Sequence, residues 1–183
     1  WGDERTVPPN HQDSNFRLVR EELLDRISIP PANLHRMHGE NPYPNSAAAD
    51  YQVELRGFFG LQPGQLPRFD LVFLGMGADG HTASLFPGSE ALDETERLVT
   101  APWVDRLKTR RLTLTVPVFN HAANVVFLVC GADKAKTLQR VLEGQGQQLE
   151  LPCQLIEPSE GEIVWLVDNA AARFLSPKFL GRR

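Results

Sequence analysis

The sequence predicts a three-layer α/β fold in which a mostly parallel sheet carries helices on both faces. Strand-like apolar runs alternate with segments whose apolar residues recur at helical spacing, which is typical of α/β domains. One apolar run, residues 71–74, leads into a glycine-rich loop, as strands do at the ligand-binding edge of such sheets. The chain has 183 residues, 42% of them apolar and 23% charged, which is enough to bury one core. We therefore expect one domain over residues 1–183.

The first half of the chain predicts two helices and two strands. Asp13, Ser14 and Asn15 offer capping side chains ahead of apolar residues at helical spacing, so a helix is expected to run from here to Pro30. Residues 34–37 are a short strand candidate, and residues 62–67 are expected to form a loop. Residues 46–59 predict an alanine-rich helix, whose apolar side is formed by Tyr51, Leu55 and Phe58. The run 71–74 is apolar enough to predict a strand covered on both faces.

The second half predicts three further strands and two helices. Residues 111–118 and 124–131 are expected to be strands, and residues 132–142 a helix ended by Gly144. Residues 145–149 predict a solvated turn. Residues 163–167 then close the sheet, and residues 169–175 form the last helix.

The loop after residues 71–74 is the strongest functional signal in the chain. Its glycines formally match a dinucleotide-binding fingerprint, but Pro87 and Gly88 stop the long helix that such a site needs, and no second strand ending in an acidic residue follows. An ordinary strand-to-helix turn would account for the glycines, but not for Asp79 and His81 two residues apart at its tip. The loop therefore predicts an active site.

Residues 69–87, which contain this loop, resemble the signature of the 6-phosphogluconolactonase family. Residues 1–8, together with His11 and residues 13–15, are similar to the family's other well-marked loop. Further similarity lies in residues 111–118, 131–134 and 165–171, so the resemblance covers nearly all of the chain. It implies a Rossmann-like fold of the glucosamine-6-phosphate isomerase/6-phosphogluconolactonase superfamily. It also implies a first strand and a Ser/Gly-rich loop upstream of Trp1, so we expect the chain to be N-terminally truncated.

The resemblance implies a hydrolase that converts 6-phospho-D-glucono-1,5-lactone to 6-phospho-D-gluconate in the oxidative pentose phosphate pathway, without a metal or cofactor. The candidate catalytic residues are His81 and Asp79. A histidine titrates near neutral pH and can take a proton from water and return it to the leaving ring oxygen. Asp79 is expected to orient His81, with a turn-forming role as the alternative. The backbone N–H groups of Gly77 and Gly80 are expected to meet the developing negative charge.

The substrate phosphate calls for fixed cations, and guanidinium suits it best. Arg5 and Arg111 are the candidates, because both match family positions at strand ends. Asp3 and Glu4 either hold Arg5 in place or pair with it at the surface. Arg106 and Arg110 are expected to be surface residues, as is usual in charge runs, and Lys108 is a weaker candidate.

The remaining features exclude several classes of function. The net charge of −4 does not favour nucleic acid or an anionic membrane as partner. Two cysteines predict no disulfide framework and a cytoplasmic setting, and His35 with His38 lacks the pattern of a metal site. We expect a monomer, with fusion or coupling to a glucose-6-phosphate dehydrogenase left open. The alternatives are a glucosamine-6-phosphate deaminase-like enzyme and a non-catalytic sugar-phosphate-binding module.

Overall fold

The computed structural model describes residues 1–144 and 149–180, and its strands form two sheets. One sheet is antiparallel and built around a central six-residue strand, β5, which pairs with three short strands. These strands are β1 (Asp3–Arg5), β3 (Val99–Thr100), β4 (Trp103–Val104) and β5 (Thr109–Leu114). The α/β class is confirmed, although the antiparallel sheet was not foreseen.

The second sheet is parallel and contains β2 (Val72–Gly75), β6 (Asn124–Val129) and β7 (Glu162–Val167) in the order β2-β6-β7. Leu74 lies opposite Phe127, and Phe127 lies opposite Trp165. In paired strands these side chains project to the same face. Phe127 is fully buried, and its ring stacks on that of Trp165 with centroids 3.9 Å apart. This face of the parallel sheet therefore forms part of the core.

The opposite face of the parallel sheet is apolar but exposed. Phe73, Leu128 and Leu166 alternate with the buried residues, and they are 63%, 49% and 52% exposed. The sequence predicts that the strand at residues 71–74 is covered on both faces. Among the described residues, 1–144 and 149–180, nothing covers this second face, so that prediction is wrong. An apolar run shows that a strand can be covered, but burial also requires a second layer to pack on it.

The first two helices are α1 (Asn15–Glu22) and α2 (Pro44–Phe59). Ser14 caps α1 by accepting a hydrogen bond from the Arg17 N–H at 3.1 Å, as predicted, but α1 ends well before Pro30. A 3₁₀ turn, Leu24–Arg26, follows it. Helix α2 starts with Pro44 and ends at Gly60, which adopts the left-handed conformation at φ 64° that favours glycine at this position.

Helix α2 packs on the antiparallel sheet, against β3 and β5. Its buried side chains include Tyr51 and Leu55, as expected, whereas Phe58 is 64% exposed and lies outside the apolar stripe. The two small residues Ala47 and Ala48 complete the stripe, so the helix lies close to the sheet.

Two strand predictions need correction. Residues 34–37 have no strand pairing, although Met37 is buried there within irregular chain. The strand predicted over residues 111–118 ends at Leu114 and lies in the antiparallel sheet. Pro117 explains the end, because it cannot donate to a sheet ladder but fits the first turn of a helix.

The remaining helices lie in the second half of the chain. They are α3 (Val116–Asn120), α4 (Ala135–Glu143), α5 (Asn169–Ala172) and α6 (Pro177–Leu180). Helix α4 ends at Gly144 and α5 begins after Asp168, as predicted in outline. The turn predicted for residues 145–149 falls mostly outside the described residues. None of the helices in the described ranges combines the length and apolar character that crossing a bilayer requires.

Candidate functional site

The loop that follows β2 is closed by its own backbone. The Gly77 N–H donates to the His81 carbonyl at 2.8 Å, and the Gly80 N–H donates to the Gly77 carbonyl at 3.0 Å. The expectation that these two N–H groups meet the substrate's negative charge is therefore not supported, because both already have acceptors within the loop. Their role in the structure is to shape the loop around His81.

Both glycines are required by their surroundings. A Cβ atom on Gly77 would lie 2.0 Å from Nδ1 of His81. Gly80 has φ +82°, and a Cβ there would lie 2.6 Å from the side chain of Leu151. A side chain at either position would displace His81 or open the loop.

Neighbouring elements hold the loop from outside. The hydroxyl of Thr137, on α4, donates to the Ala78 carbonyl at 2.6 Å, and the Cys153 N–H donates to the Gly80 carbonyl at 3.0 Å. Thr82 is buried and donates through its hydroxyl to the Gly75 carbonyl at 2.8 Å. These bonds fix the loop on the end of the parallel sheet, where α/β proteins place their ligands.

At the tip of the loop, His81 and Asp79 form a hydrogen-bonded pair. Nδ1 of His81 lies 2.5 Å from Oδ1 of Asp79. Burial opposes the ionisation of Asp79, but its hydrogen bonds with His81 and the charge of Arg106 outweigh it and lower the pKa of Asp79 to about 2. An ionised Asp79 accepts the Nδ1 proton, which assigns the tautomer and leaves Nε2 of His81 as the basic nitrogen.

His81 opens onto a cavity of about 360 Å³. The polar side chains that line this cavity besides His81 are Asp3, Arg5, Asn15 and Lys134. The end of β2 and the first residues of the loop also line it. The histidine therefore shares one cavity with two cations.

The carboxylates of Asp3 and Glu4 have separate roles, and neither forms an ion pair with Arg5 in the described chain. Asp3 accepts hydrogen bonds from Ser84 Oγ at 2.8 Å and from Asn15 Nδ2 at 3.1 Å, and burial raises the pKa of its carboxyl. Glu4 is 2% exposed and accepts from two N–H groups at the start of α1. The expected surface ion pair with Arg5 is therefore wrong, whereas Glu4 Oε1 accepts a hydrogen bond from the backbone N–H of Arg5 at 2.8 Å and so helps to hold Arg5 in place.

Arg5 and Arg111 lie opposite each other in the pairing of β1 with β5. Arg5 donates to the Asp13 carbonyl at 2.5 Å, which restrains its guanidinium beside the cavity that it lines. Burial, and then the charge of Arg5, lowers the pKa of Arg111. The structure therefore brings together the two arginines that the sequence singled out.

His35 and His38 are the two histidines whose spacing does not predict a metal site. His35 Nδ1 lies 2.6 Å from Glu54, and His38 Nδ1 lies 3.3 Å from Glu40. Within residues 1–144 and 149–180, no cluster of three or more His, Cys, Asp or Glu side chains has the arrangement of a metal site.

Comparison with known proteins gives the family that the sequence resembles. The family described as glucosamine-6-phosphate isomerases/6-phosphogluconolactonase matches residues 1–165. The chain belongs to this family.

Two curated relatives in the family are 6-phosphogluconolactonases. The Synechocystis sp. protein is 44% identical over 177 residues, which cover 97% of this chain and 72% of the relative. The human protein is 44% identical over 179 residues, covering 97% of this chain and 67% of the relative.

Solved structures of the family agree in fold. The 6-phosphogluconolactonase from Trypanosoma cruzi superposes with a TM-score of 0.83 at 27% identity, covering 96% of this chain and 71% of that one. A monomeric glucosamine-6-phosphate deaminase superposes with a TM-score of 0.72 at 18% identity, covering 93% and 71%. At that identity the deaminase supports the shared fold alone.

Sequence reasoning did not identify Asp3, Asn15 and Lys134 as residues that line the cavity. Asp3 was read only as a partner of Arg5, and Lys134 only as part of a matching turn. Lys134 is 25% exposed and lies 3.1 Å from Asp133. Its position directly after β6, at the same sheet edge as the loop of His81, was the signal that could have identified it.

Proposed function

We propose that this chain hydrolyses 6-phospho-D-glucono-1,5-lactone to 6-phospho-D-gluconate, with His81 as the base that activates water. One observation carries the proposal: His81, held through Nδ1 by an ionised Asp79, faces a cavity that also contains Arg5 and Lys134. The cavity combines a base with cations, which are the two groups that a phosphorylated lactone requires.

The reaction needs one proton carrier. Nε2 of His81 takes a proton from water as its oxygen bonds to the lactone carbonyl carbon. The tetrahedral intermediate collapses as the bond to the ring oxygen breaks, and His81 returns the proton to that oxygen. Asp79 stabilises the imidazolium that forms between the two steps and keeps Nδ1 protonated throughout.

Three cations are proposed to bind the phosphate. Arg5 and Lys134 line the cavity, and Arg111 projects from the same face of the sheet as Arg5. Guanidinium groups bind phosphate oxygens in pairs, and the lowered pKa of Arg111 indicates a cation that gains from an added anion. Lys108 lies in the left-handed turn after Asp105–Leu107 and is 78% exposed, so it is left out of this set.

We propose that Gly77 and Gly80 contribute through the close packing that they allow in the loop, and not through contacts with the substrate. They allow the loop backbone to pass close beneath His81 and Leu151, and they do so without using their N–H groups on the substrate. A monomeric state, a cytoplasmic location and coupling to a glucose-6-phosphate dehydrogenase stay predictions, because no feature of the site depends on them.

The test compares two substrates. Freshly generated 6-phosphogluconolactone is expected to be consumed well above its spontaneous rate of opening, whereas glucosamine 6-phosphate is expected to release no ammonia. Ammonia release would favour the deaminase-like alternative. Tight binding of 6-phosphogluconate without lactone turnover would favour the non-catalytic binding module.

A further inference from the structure

Arg106 reaches the catalytic loop from a separate element, the β4–β5 hairpin. Trp103 pairs with Arg110 and Val104 with Thr109, so the strands place residues 105–108 at the tip. The tip is a 3₁₀ turn, Asp105–Leu107, and the Lys108 N–H closes it by donating to the Asp105 carbonyl at 3.3 Å. Arg106 therefore stands on a short, closed turn.

The guanidinium of Arg106 binds the oxygen of Asp79 that His81 leaves free. Arg106 Nη1 lies 2.5 Å from Oδ2 of Asp79, while Nδ1 of His81 lies 2.5 Å from Oδ1. Each oxygen of the carboxylate thus has its own partner. Rotation of the Asp79 side chain would break both contacts, so Arg106 restricts the angle at which Asp79 presents its oxygen to His81.

Phe86 makes a second connection between the same groups. The His81 ring stacks on Phe86 with centroids 4.3 Å apart, and Cζ of Arg106 lies 4.9 Å from the centroid of the Phe86 ring. Phe86 is 7% exposed, so it is a fixed surface against which the side chains of both His81 and Arg106 pack. Cations are attracted to the face of an aromatic ring.

An ordinary surface ion pair is the simplest alternative for Arg106. Its side chain is 52% exposed, and exposed pairs contribute little to stability. However, the partner of Arg106 is the residue that orients His81, and both residues that Arg106 contacts, Asp79 and Phe86, also contact His81. The contribution of Arg106 is therefore expected in the position of His81 rather than in the stability of the protein.

We propose that Arg106 is a positioning residue, which fixes Asp79 and through it the orientation of His81. This inference rests on the proposed lactone hydrolysis. No sequence pattern indicates this role, because Arg106 lies in a run of basic residues of the kind that usually faces solvent.

The test uses three variants of the same hairpin. Arg106→Gln removes the charge, Arg106→Lys keeps the charge but loses the planar guanidinium, and Arg110→Gln removes a neighbouring charge as a matched control. Arg110 donates to the Ala101 carbonyl at 2.5 Å and is not in contact with Asp79. Both arginine side chains are partly exposed, so the variants are expected to fold, and circular dichroism checks this.

With the lactone, Arg106→Gln is expected to lower kcat about tenfold while KM stays within about twofold, because a misoriented base slows the chemical step without weakening binding. Arg106→Lys is expected to recover part of kcat, and Arg110→Gln to equal the wild type. An unchanged kcat in Arg106→Gln overturns the proposal, and so does a rise in KM alone, which would make Arg106 a substrate-binding residue.

A second readout does not depend on activity. The Nδ1 proton of His81 is expected to give a low-field proton NMR signal, which is absent in His81→Asn. The signal is expected to move in Arg106→Gln and to stay in place in Arg110→Gln. If the wild type fails to hydrolyse the lactone, the proposed function fails, and this signal still decides the role of Arg106: a signal that does not move overturns it.

Discussion

Arg5 and Arg111 lie side by side on adjacent antiparallel strands, and neither has a carboxylate within ion-pair distance in the described part of the chain. Like charges directly opposite each other in a sheet are destabilising. Asp3, Asp13 and Glu4 act on Arg111 only over a longer distance. Such a pair of cations beside a cavity is an arrangement that an anionic ligand would stabilise.

Arg111→Gln is therefore expected to weaken binding of 6-phosphogluconate roughly tenfold or more. The measurement is the rise in thermal unfolding temperature with added 6-phosphogluconate, because a ligand that binds only the native state stabilises it. Arg68→Gln is the control, since Arg68 donates to the Glu160 carbonyl at the surface. An equal rise in wild type and Arg111→Gln would remove Arg111 from the phosphate site.

Gly77→Ala is expected to reduce kcat on the order of 10²-fold, because the new Cβ would lie 2.0 Å from Nδ1 of His81 and push the base from its position. Gly57→Ala is the matched control. No atom lies within 4 Å of a Cβ at Gly57, which is inside α2, so this variant is expected to gain about 0.5–1 kcal/mol of stability. Normal turnover by Gly77→Ala would contradict the packing described for the loop.

Glu4→Gln is expected to lower the free energy of unfolding by roughly 1–3 kcal/mol, because the buried carboxylate accepts several hydrogen bonds that an amide cannot all replace. Its donors are Arg5 N, Ser14 Oγ, Asn15 N and Phe16 N. Urea denaturation measures the loss. Glu21→Gln, which removes only surface ion pairs with Arg17 and Arg20, is expected to change stability by less than about 0.5 kcal/mol.

The stability of the protein in acid is expected to depend on Asp79. Its pKa in the native state, about 2, lies below the ordinary value of 3.8, so its ionised form stabilises the native state above that ordinary value. The stabilisation is lost as the pH falls towards about 2. The difference in unfolding free energy between wild type and Asp79→Asn is therefore expected to shrink as the pH falls from about 4 to about 2. A difference that grows in acid would contradict the assigned ion pairs.

The elements that the sequence predicted best are those with a strong local signal. The Ser14 cap, the helix ending at Gly144 and the strand over residues 163–167 depend on neighbours in sequence, and the structure has them. The strand predicted over residues 34–37 failed, because an apolar run also fits irregular chain that buries a residue such as Met37.

In the site, too, the residues that the sequence predicts are those with a local signal. Asp79 and His81 are two residues apart on one loop, so a local motif identified them. Arg106 and Lys134 reach the same site through the β4–β5 hairpin and the turn after β6, and such long-range contacts leave no pattern in neighbouring residues. The ion-pair alternative for Glu4 failed because a carboxylate beside an arginine in sequence need not contact its guanidinium: Glu4 accepts from the Arg5 backbone N–H and from N–H groups at the start of α1.

The most direct test of the account is the rate of 6-phosphogluconolactone hydrolysis by wild type and by His81→Asn, corrected for spontaneous opening. His38→Gln is the control, because the His38 side chain is 53% exposed and its Nδ1 lies 3.3 Å from Glu40 at the surface. The account predicts that His81→Asn falls to the spontaneous rate while it still binds 6-phosphogluconate, and that His38→Gln equals the wild type. A fully active His81→Asn would contradict the assignment of His81 as the base.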